Sequence, residues 1–324
     1  MRRFESFMAR NLSEYVAYRQ QLGCVKKAIK PPLYAFDQYL NVHKATWEQL
    51  QPAFFLQMRA DIRKHPNTVN KILSSVHSFF EFLVRRQICR VNPLDDIPPL
   101  PERFFIPFVF TPEQTDQLLT NICVNIRHCQ KHLLFDMAIY LAMAMLARCG
   151  MRINEPLRLC WHHFRPDEGS VYIERTKFRK DRLIPVPQKV LDELDNYLVA
   201  RNVCCPEDQN PYLLAGRKGR PLKDYHVRSA FHRAVENIGL KQLKRTMGNM
   251  TFGSPVPHSL RHSFAINTLN RIKARGISPQ QALPVIATYM GHRKYQYTAA
   301  YLKVKDASDI AGLITFAKSQ SVVK

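Results

Sequence analysis

Two histidines, an arginine and a tyrosine in the last third of the chain have types and spacings suited to chemistry at a phosphodiester. His258 and Arg261 are three residues apart, so one turn of a helix presents both side chains on the same face. His292 follows Gly291, and Tyr301 comes nine residues after that histidine. The tyrosine is a potential nucleophile, the arginine is a fixed cation, and histidines can exchange protons near neutral pH.

Two earlier segments contribute further charged residues. Breaking a phosphodiester without a metal requires neutralisation of the charge on the nonbridging oxygens and a proton for the leaving oxygen. Arg152, just beyond an apolar helix, could clamp the phosphate together with Arg261. Glu155 could pair with Arg152 as an ordinary ion pair. Lys177 lies near the turn of a predicted hairpin and could supply the proton, with Lys180 as a rival.

At this point the chain resembles the tyrosine recombinase family, which includes the phage-type integrases. The most specific features are Pro-His-Ser-Leu-Arg-His-Ser-Phe-Ala around His258 and the interval from His292 to Tyr301. This sequence departs from the usual pattern of the family at two positions. Met290 stands where leucine is usual, and Phe178 stands where a glycine usually follows the lysine.

The resemblance implies a catalytic set, namely Arg152, Lys177, His258, Arg261, His292 and Tyr301. It implies that the Tyr301 phenol attacks phosphorus and forms a 3′-phosphotyrosine, with His258 taking or holding the phenolic proton. The two arginines would bind the phosphate, and His292 would donate a hydrogen bond to a nonbridging oxygen. Lys177 would protonate the leaving 5′-hydroxyl. In the same resemblance, Glu155 would hold Arg152 while that arginine binds phosphate.

The charge balance favours a polyanionic partner. Lys and Arg number 48 against 26 Asp and Glu, a net charge of +22. Ribosome-bound and membrane-surface proteins usually carry such an excess in runs or tails, whereas here it is scattered through periodic apolar segments. No apolar stretch approaches the roughly 20 residues needed to span a bilayer, and no signal core follows the N-terminus. We therefore expect a DNA-associated, cytoplasmic protein that does not enter a membrane.

The eight cysteines lack paired C-x-x-C spacing, and several of them lie in apolar helical contexts. Free, mostly buried thiols are therefore expected rather than a zinc site. The chemistry outlined above uses no metal and no cofactor, so neither is expected.

A Pro-rich stretch divides the chain, and it predicts a linker at 91–108. Residues 1–90 look all-helical, and the resemblance implies a core-binding, SAM-like DNA-binding domain there. Residues 109–305 are predicted to form a mixed, mainly helical catalytic domain with a small antiparallel sheet. Within residues 306–324, a short apolar stripe predicts a tail helix that packs on its own domain or on a neighbouring protomer; it consists of Ile310, Leu313, Ile314 and Ala317.

Local patterns place the individual elements. Ser170 to Thr176 and Leu183 to Val186 alternate like two strands of a hairpin. Thr111 to Gln114 form a capping box, and the apolar run from Leu133 to Leu146 predicts a buried helix. The other predicted helices lie at about 4–22, 33–43, 48–63, 66 onward, 188–201, 224–238, 259–274, 279–289 and 308–318.

The combined expectation is a site-specific DNA recombinase. It would bind double-stranded DNA at inverted-repeat core sites, synapse two sites as a homotetramer and exchange strands without a metal or ATP. Its task would be integration, excision or resolution of a mobile element or replicon dimer, and accessory DNA-bending or directionality proteins could act with it. A type IB topoisomerase-like relaxing enzyme is the alternative, and a DNA-binding regulator without catalysis is a third hypothesis.

Overall fold

The computed structural model describes residues 3–101, 104–129, 131–174, 181–216, 219–248, 250–292 and residue 298. The chain divides into two compact units, Met1–Phe104 and Phe105–Lys324. Helices dominate both units, and small three-stranded sheets are present, which confirms the predicted fold class. In the described part of the chain, no helix combines the length and apolar character needed to cross a bilayer. The predicted tail helix at 306–324 lies outside the described residues.

The helices of the first unit enclose an aromatic core. They are α1 (Ala9–Gln21), α2 (Lys26–Val42), α3 (Pro52–Asp61) and α4 (Pro66–Arg85). The apolar positions of α4 recur at helical spacing, so one face of this helix is buried. Phe79 and Phe80 of α4 pack against Phe36 and Phe55, and the Phe55 and Phe80 rings meet edge to face at 5.4 Å.

Helix α2 begins earlier than expected and runs through Pro31 and Pro32, which we had placed between helices. That expectation was wrong for a tertiary reason. Each internal proline costs a helix about 3 kcal/mol. Burial of an apolar side chain stabilises the folded state by roughly 1.5–3 kcal/mol. Three apolar residues of α2, Leu33, Phe36 and Leu40, are at most 1% exposed. Packing of this face therefore offsets the lost helical hydrogen bonds.

The start of the predicted linker packs on α4 of the first unit. Leu94 is 3% exposed and belongs to the core of that unit. The Asn70 side chain accepts a hydrogen bond from the Leu100 backbone N–H and donates one to its carbonyl, both at 2.8 Å. His77 Nε2 lies 3.0 Å from Asp95 Oδ1. The Pro-rich chain is thus held by specific contacts as far as residue 100.

The second unit is built around one largely buried helix. Its helices are α5 (Pro112–Val124), α6 (Leu133–Arg148), α7 (Gln188–Cys204), α8 (Asp224–Asn237), α9 (Pro257–Ala274) and α10 (Pro279–Tyr289). Helix α6 is apolar nearly all round and packs against α5, α7, α8 and α9. The predicted capping box at Thr111 and Gln114 is present at the start of α5.

Two small sheets complete the second unit. One has the order β2 (Phe164–Arg165), β3 (Ser170–Ile173), β4 (Arg182–Pro185), all antiparallel, and β3–β4 is the predicted hairpin. The other has the order β1 (Phe104–Ile106), β6 (Met250–Phe252), β5 (Arg245–Met247). We did not predict this second sheet, because strands of three residues show too little alternation.

The cysteines are all free, and all eight lie in the described part of the chain. Cys149 is the buried one, and Cys123 is exposed although its helix is apolar. The expectation of mostly buried thiols was therefore wrong: Cys123 lies on the outer side of α5, whose inner face is formed by Leu118, Leu119 and Ile122.

Candidate active site

A left-handed turn after α6 delivers Arg152. Gly150 has φ +59°, a conformation that side chains with a Cβ rarely adopt. A Cβ there would also lie 2.4 Å from Phe264 Cδ1, so α9 passes directly against this backbone. Glycine therefore lets the chain reverse against α9 and bring Arg152 to the start of that helix.

The first turn of α9 carries His258, Arg261 and His262. Pro257 is the first helical residue, which is a favoured place for proline. Arg261 is 1% exposed, and its Nη1 donates to the Gly150 carbonyl at 2.7 Å. His258 keeps an exposed surface, and its ring meets the His262 ring edge to face at 4.6 Å. The helix thus buries the guanidinium that orders the turn and leaves His258 accessible.

The end of α10 forms a Schellman turn that positions His292. Gly291 has φ +61°, its N–H donates to the Thr288 carbonyl, and the N–H of His292 donates to the Ala287 carbonyl, both at 2.9 Å. Gly291 therefore ends the helix. His292 Nδ1 lies 2.7 Å from the hydroxyl of Thr298, which is fully buried.

Ser278-Pro279-Gln280-Gln281 predicts a capped start for α10, and the structure differs from this in detail. Ser278 occupies the N-cap position, but its hydroxyl donates to the Gln280 side chain at 2.7 Å instead of accepting a hydrogen bond from the backbone. Pro279 follows it at the first helical position, where no N–H needs a partner.

Glu155 joins two arginines. Its carboxylate accepts from the Arg152 backbone N–H and from Arg152 Nη1, both at 2.8 Å. It also accepts from Arg182 Nη1 at 3.1 Å and from Arg182 Nη2 at 2.8 Å. Burial raises the pKa of Glu155, but the hydrogen bonds and charge of Arg182, together with those of Arg152, outweigh burial and hold the pKa below its ordinary value. The carboxylate is therefore ionised at neutral pH.

The three histidines are neutral at physiological pH. Loss of hydration and the charges of Arg261 and Arg152 lower the pKa of His258 to about 4. The same causes lower the pKa of His292 to about 4. Burial, His258 and Arg261 lower the pKa of His262 to about 3. Three arginines and one carboxylate, Arg152, Arg182, Arg261 and Glu155, then leave a net charge of two positive units, which suits an anion.

The structure brings together five of the predicted site residues from three segments of the second unit. They are Arg152, Glu155, His258, Arg261 and His292. Lys177, its rival Lys180 and Tyr301 lie outside the described residues.

Arg182 also belongs to this cluster, although the sequence pattern predicted no role for it. This residue is 8% exposed, and it points to the same buried side of β4 as Ile184. A charged residue at an inward strand position indicates a buried partner. That signal was present in the alternation of the Arg-Leu-Ile-Pro strand.

Metal donors come together at one place among the described residues. His77, Glu81 and Asp95 of the first unit have donor atoms within 4.8 Å of one another. None of them belongs to the arginine and histidine cluster of the second unit.

Comparison with known proteins decides the family. The model of the phage integrase family matches residues 109–308, which is more than half of the chain. The chain belongs to this family, the tyrosine recombinases. Members of the family are enzymes that cleave and rejoin DNA strands.

Relatives and structures agree with this assignment. The recombinase is 25% identical over 300 residues to a tyrosine recombinase of Thermosipho africanus, covering 91% of this chain and 94% of that protein. The fold is similar to the XerH site-specific recombinase bound to difH substrate (TM-score 0.64, 18% identity, 92% and 83% of the two chains). It is also similar to a lambda integrase tetramer bound to a Holliday junction (TM-score 0.62, 17% identity, 90% and 76%).

Proposed function

We propose that this recombinase performs conservative site-specific recombination through a 3′-phosphotyrosyl intermediate. The observation that carries the proposal is the convergence of Arg152, His258, Arg261 and His292 from segments up to 139 residues apart around a net positive centre. A cluster of fixed cations and neutral imidazoles matches the needs of a phosphodiester under attack.

The arginines bind and polarise the phosphate. Arg152 is 26% exposed at its side chain, whereas Arg261 is 1% exposed. Guanidinium groups in fixed orientation stabilise charge on nonbridging oxygens without reorganisation. When Thr298 donates to His292 Nδ1, the hydrogen of that imidazole is on Nε2, the nitrogen that donates to a nonbridging oxygen.

The covalent step conserves the phosphodiester energy. The Tyr301 oxygen forms a bond to phosphorus, its proton passes to or is held by His258, and the bond to the 5′-oxygen breaks. Lys177 gives the proton that this leaving oxygen requires. Rejoining reverses the step, with a 5′-hydroxyl attacking the phosphotyrosine and releasing Tyr301. His258 is neutral in the free protein, and a bound phosphate anion raises its basicity.

The DNA partner and assembly follow from the same reaction. Two protomers bind inverted half-sites of a double-stranded core site, and two sites pair as a homotetramer. The similar structures of recombinases on a DNA substrate and on a Holliday junction support this arrangement. The task is integration, excision or resolution of a mobile element or replicon dimer. Residues 306–324 pack on a neighbouring protomer and couple the active sites.

A covalent-adduct assay tests the proposal. The full chain first selects its binding site from a random-sequence duplex pool, and the selected duplex is then nicked to trap cleavage. Wild type and Tyr297→Phe form a protein–DNA adduct on a denaturing gel, whereas Tyr301→Phe forms none. Persistence of the adduct in Tyr301→Phe, or its absence in wild type, contradicts the mechanism. Efficient relaxation of a plasmid that lacks the selected site favours the topoisomerase alternative.

A further inference from the structure

Three arginines bind the three carbonyls at the end of α10, one arginine to each. Arg182 Nε donates to the Tyr289 carbonyl at 2.8 Å, and Arg261 Nη2 donates to the Met290 carbonyl. Arg152 Nη2 donates to the Gly291 carbonyl at 3.0 Å. Carbonyls at a helix C-terminus lack helical partners and carry partial negative charge, so they attract cations. The turn that positions His292 thereby positions the arginines as well.

Arg182 differs from the other two arginines in the acceptors that its Nη atoms bind. Both of its Nη atoms donate to Glu155, at 3.1 and 2.8 Å, and its side chain is 7% exposed. Each of the three nitrogens of Arg182 therefore donates to a protein acceptor, two of them to one carboxylate. Arg152 gives the same carboxylate one Nη atom and has a more exposed side chain, at 26%.

The charge balance shows what Arg182 contributes. Glu155 and Arg152 alone would form a neutral pair, and a neutral pair attracts phosphate weakly. With Arg182 the group of three carries one net positive charge. The Arg182 guanidinium also donates one hydrogen bond to each carboxylate oxygen, which limits rotation of the Glu155 carboxylate.

We propose that Arg182 is a positioning residue for phosphate cleavage. It holds Glu155 so that the carboxylate orients Arg152 without neutralising it, and it fixes the Tyr289 carbonyl at the turn that carries His292. The inference rests on the proposed function of the same site. Because Arg182 is also the first residue of β4, directly after the segment that contains Lys177, it links the hairpin of the proton donor to the phosphate clamp.

Gly291 gives independent support for this link. A Cβ at Gly291 would lie 3.1 Å from Arg182 Nη1 and 3.3 Å from its Cδ. The Arg182 side chain therefore lies close to the Gly291 backbone, and a side chain at position 291 would press against it.

A rescue experiment tests the proposal on the nicked, selected duplex described above. In Arg182→Met, the single-turnover rate of adduct formation falls about 100-fold or more, as expected when a catalytic group is misplaced by about 1 Å. DNA affinity changes less than about threefold, because the nitrogens of Arg182 donate to Glu155 and to the Tyr289 carbonyl. In the double variant Arg182→Met/Glu155→Gln, the rate recovers at least about tenfold, since a neutral amide no longer neutralises Arg152. A purely structural role predicts no recovery.

Arg201→Met is the matched control. Arg201 is also a buried arginine of the second unit; it is 2% exposed and ion-paired with Asp208 at 2.8 Å, and it makes no contact with Glu155 or α10 among the described residues. Arg201→Met lowers the midpoint of thermal unfolding, but the adduct rate of the folded protein stays within about threefold of wild type. If methionine prevents folding at either position, Arg182→Lys and Arg201→Lys serve the same comparison, with a rate loss expected for Arg182→Lys alone.

The outcomes distinguish failure of the proposed function from failure of the role proposed for Arg182. Absence of adduct in wild type refutes the proposed function itself. An active wild type with an equally active Arg182→Met, or a double variant no faster than Arg182→Met, refutes the role of Arg182 and leaves the recombinase mechanism standing.

Discussion

His262 makes the second unit sensitive to acid. Burial, together with His258, Arg261 and His292, lowers its pKa from the ordinary value of 6.5 to about 3. Between these two pH values the unfolded chain binds a proton that the folded chain does not bind. The contribution of neutral His262 to the free energy of unfolding is therefore fully present above pH 6.5, and it is lost as the pH falls toward 3. His258 and His292 are shifted in the same direction and add to the effect.

The size of the effect follows from linkage. When the pH is lowered from about 7.5 to about 5, the protonation of an unfolded histidine lowers the free energy of unfolding by up to about 2 kcal/mol, because 1.36 kcal/mol corresponds to one pKa unit. His262 is partly exposed, so solvent screening reduces this value. We expect that about 1–2 kcal/mol of the acid sensitivity disappears in His262→Asn.

Urea unfolding at the two pH values measures this difference. The chain has two tryptophans, so Trp47→Phe leaves Trp161 as the fluorescent reporter of the second unit. Buffers are phosphate-free, since a bound anion would stabilise the folded state by itself. His232→Asn, an exposed position on α8, serves as the control and keeps the full pH dependence. Equal pH dependence in wild type and His262→Asn would refute the assignment.

The remaining predictions concern a turn and the proton donor. Gly150→Ala lowers the free energy of unfolding by about 2–4 kcal/mol in the same urea assay, because the backbone is left-handed there and the new methyl group clashes with Phe264. Gly239→Ala is the control: its φ is +72° but open space surrounds it, so it costs about 1 kcal/mol. Lys177→Ala slows cleavage of the nicked duplex about 100-fold or more. The cleavage rate of Lys177→Ala recovers to within about tenfold of the wild-type rate when sulfur replaces the leaving 5′-oxygen, because a thiolate leaves without a proton. Continued slow cleavage of the sulfur substrate, or an equal defect in Lys180→Ala, argues against Lys177 as the acid.

Local patterns in the sequence predicted most helices and one sheet. Apolar residues at helical spacing mark α4, and the capping box at Thr111 marks the start of α5. The alternation on either side of 175–180 marks the β3–β4 hairpin. These features depend on residues within a few positions of one another, so the sequence alone is sufficient to determine them. The prolines of α2 are the exception, because there the packing of a distant core decides.

The types and order of the candidate site residues were also visible in the sequence, but the network around them was not. Arg182 contacts a carboxylate 27 residues away, and Arg152 contacts a carbonyl 139 residues away. Such contacts depend on the path of the whole chain and on the burial that strengthens each charge. Composition and spacing therefore determined which groups were available for chemistry, whereas the tertiary structure decided that Arg152 and Arg182 share Glu155 and that Arg152 is the more exposed of the two.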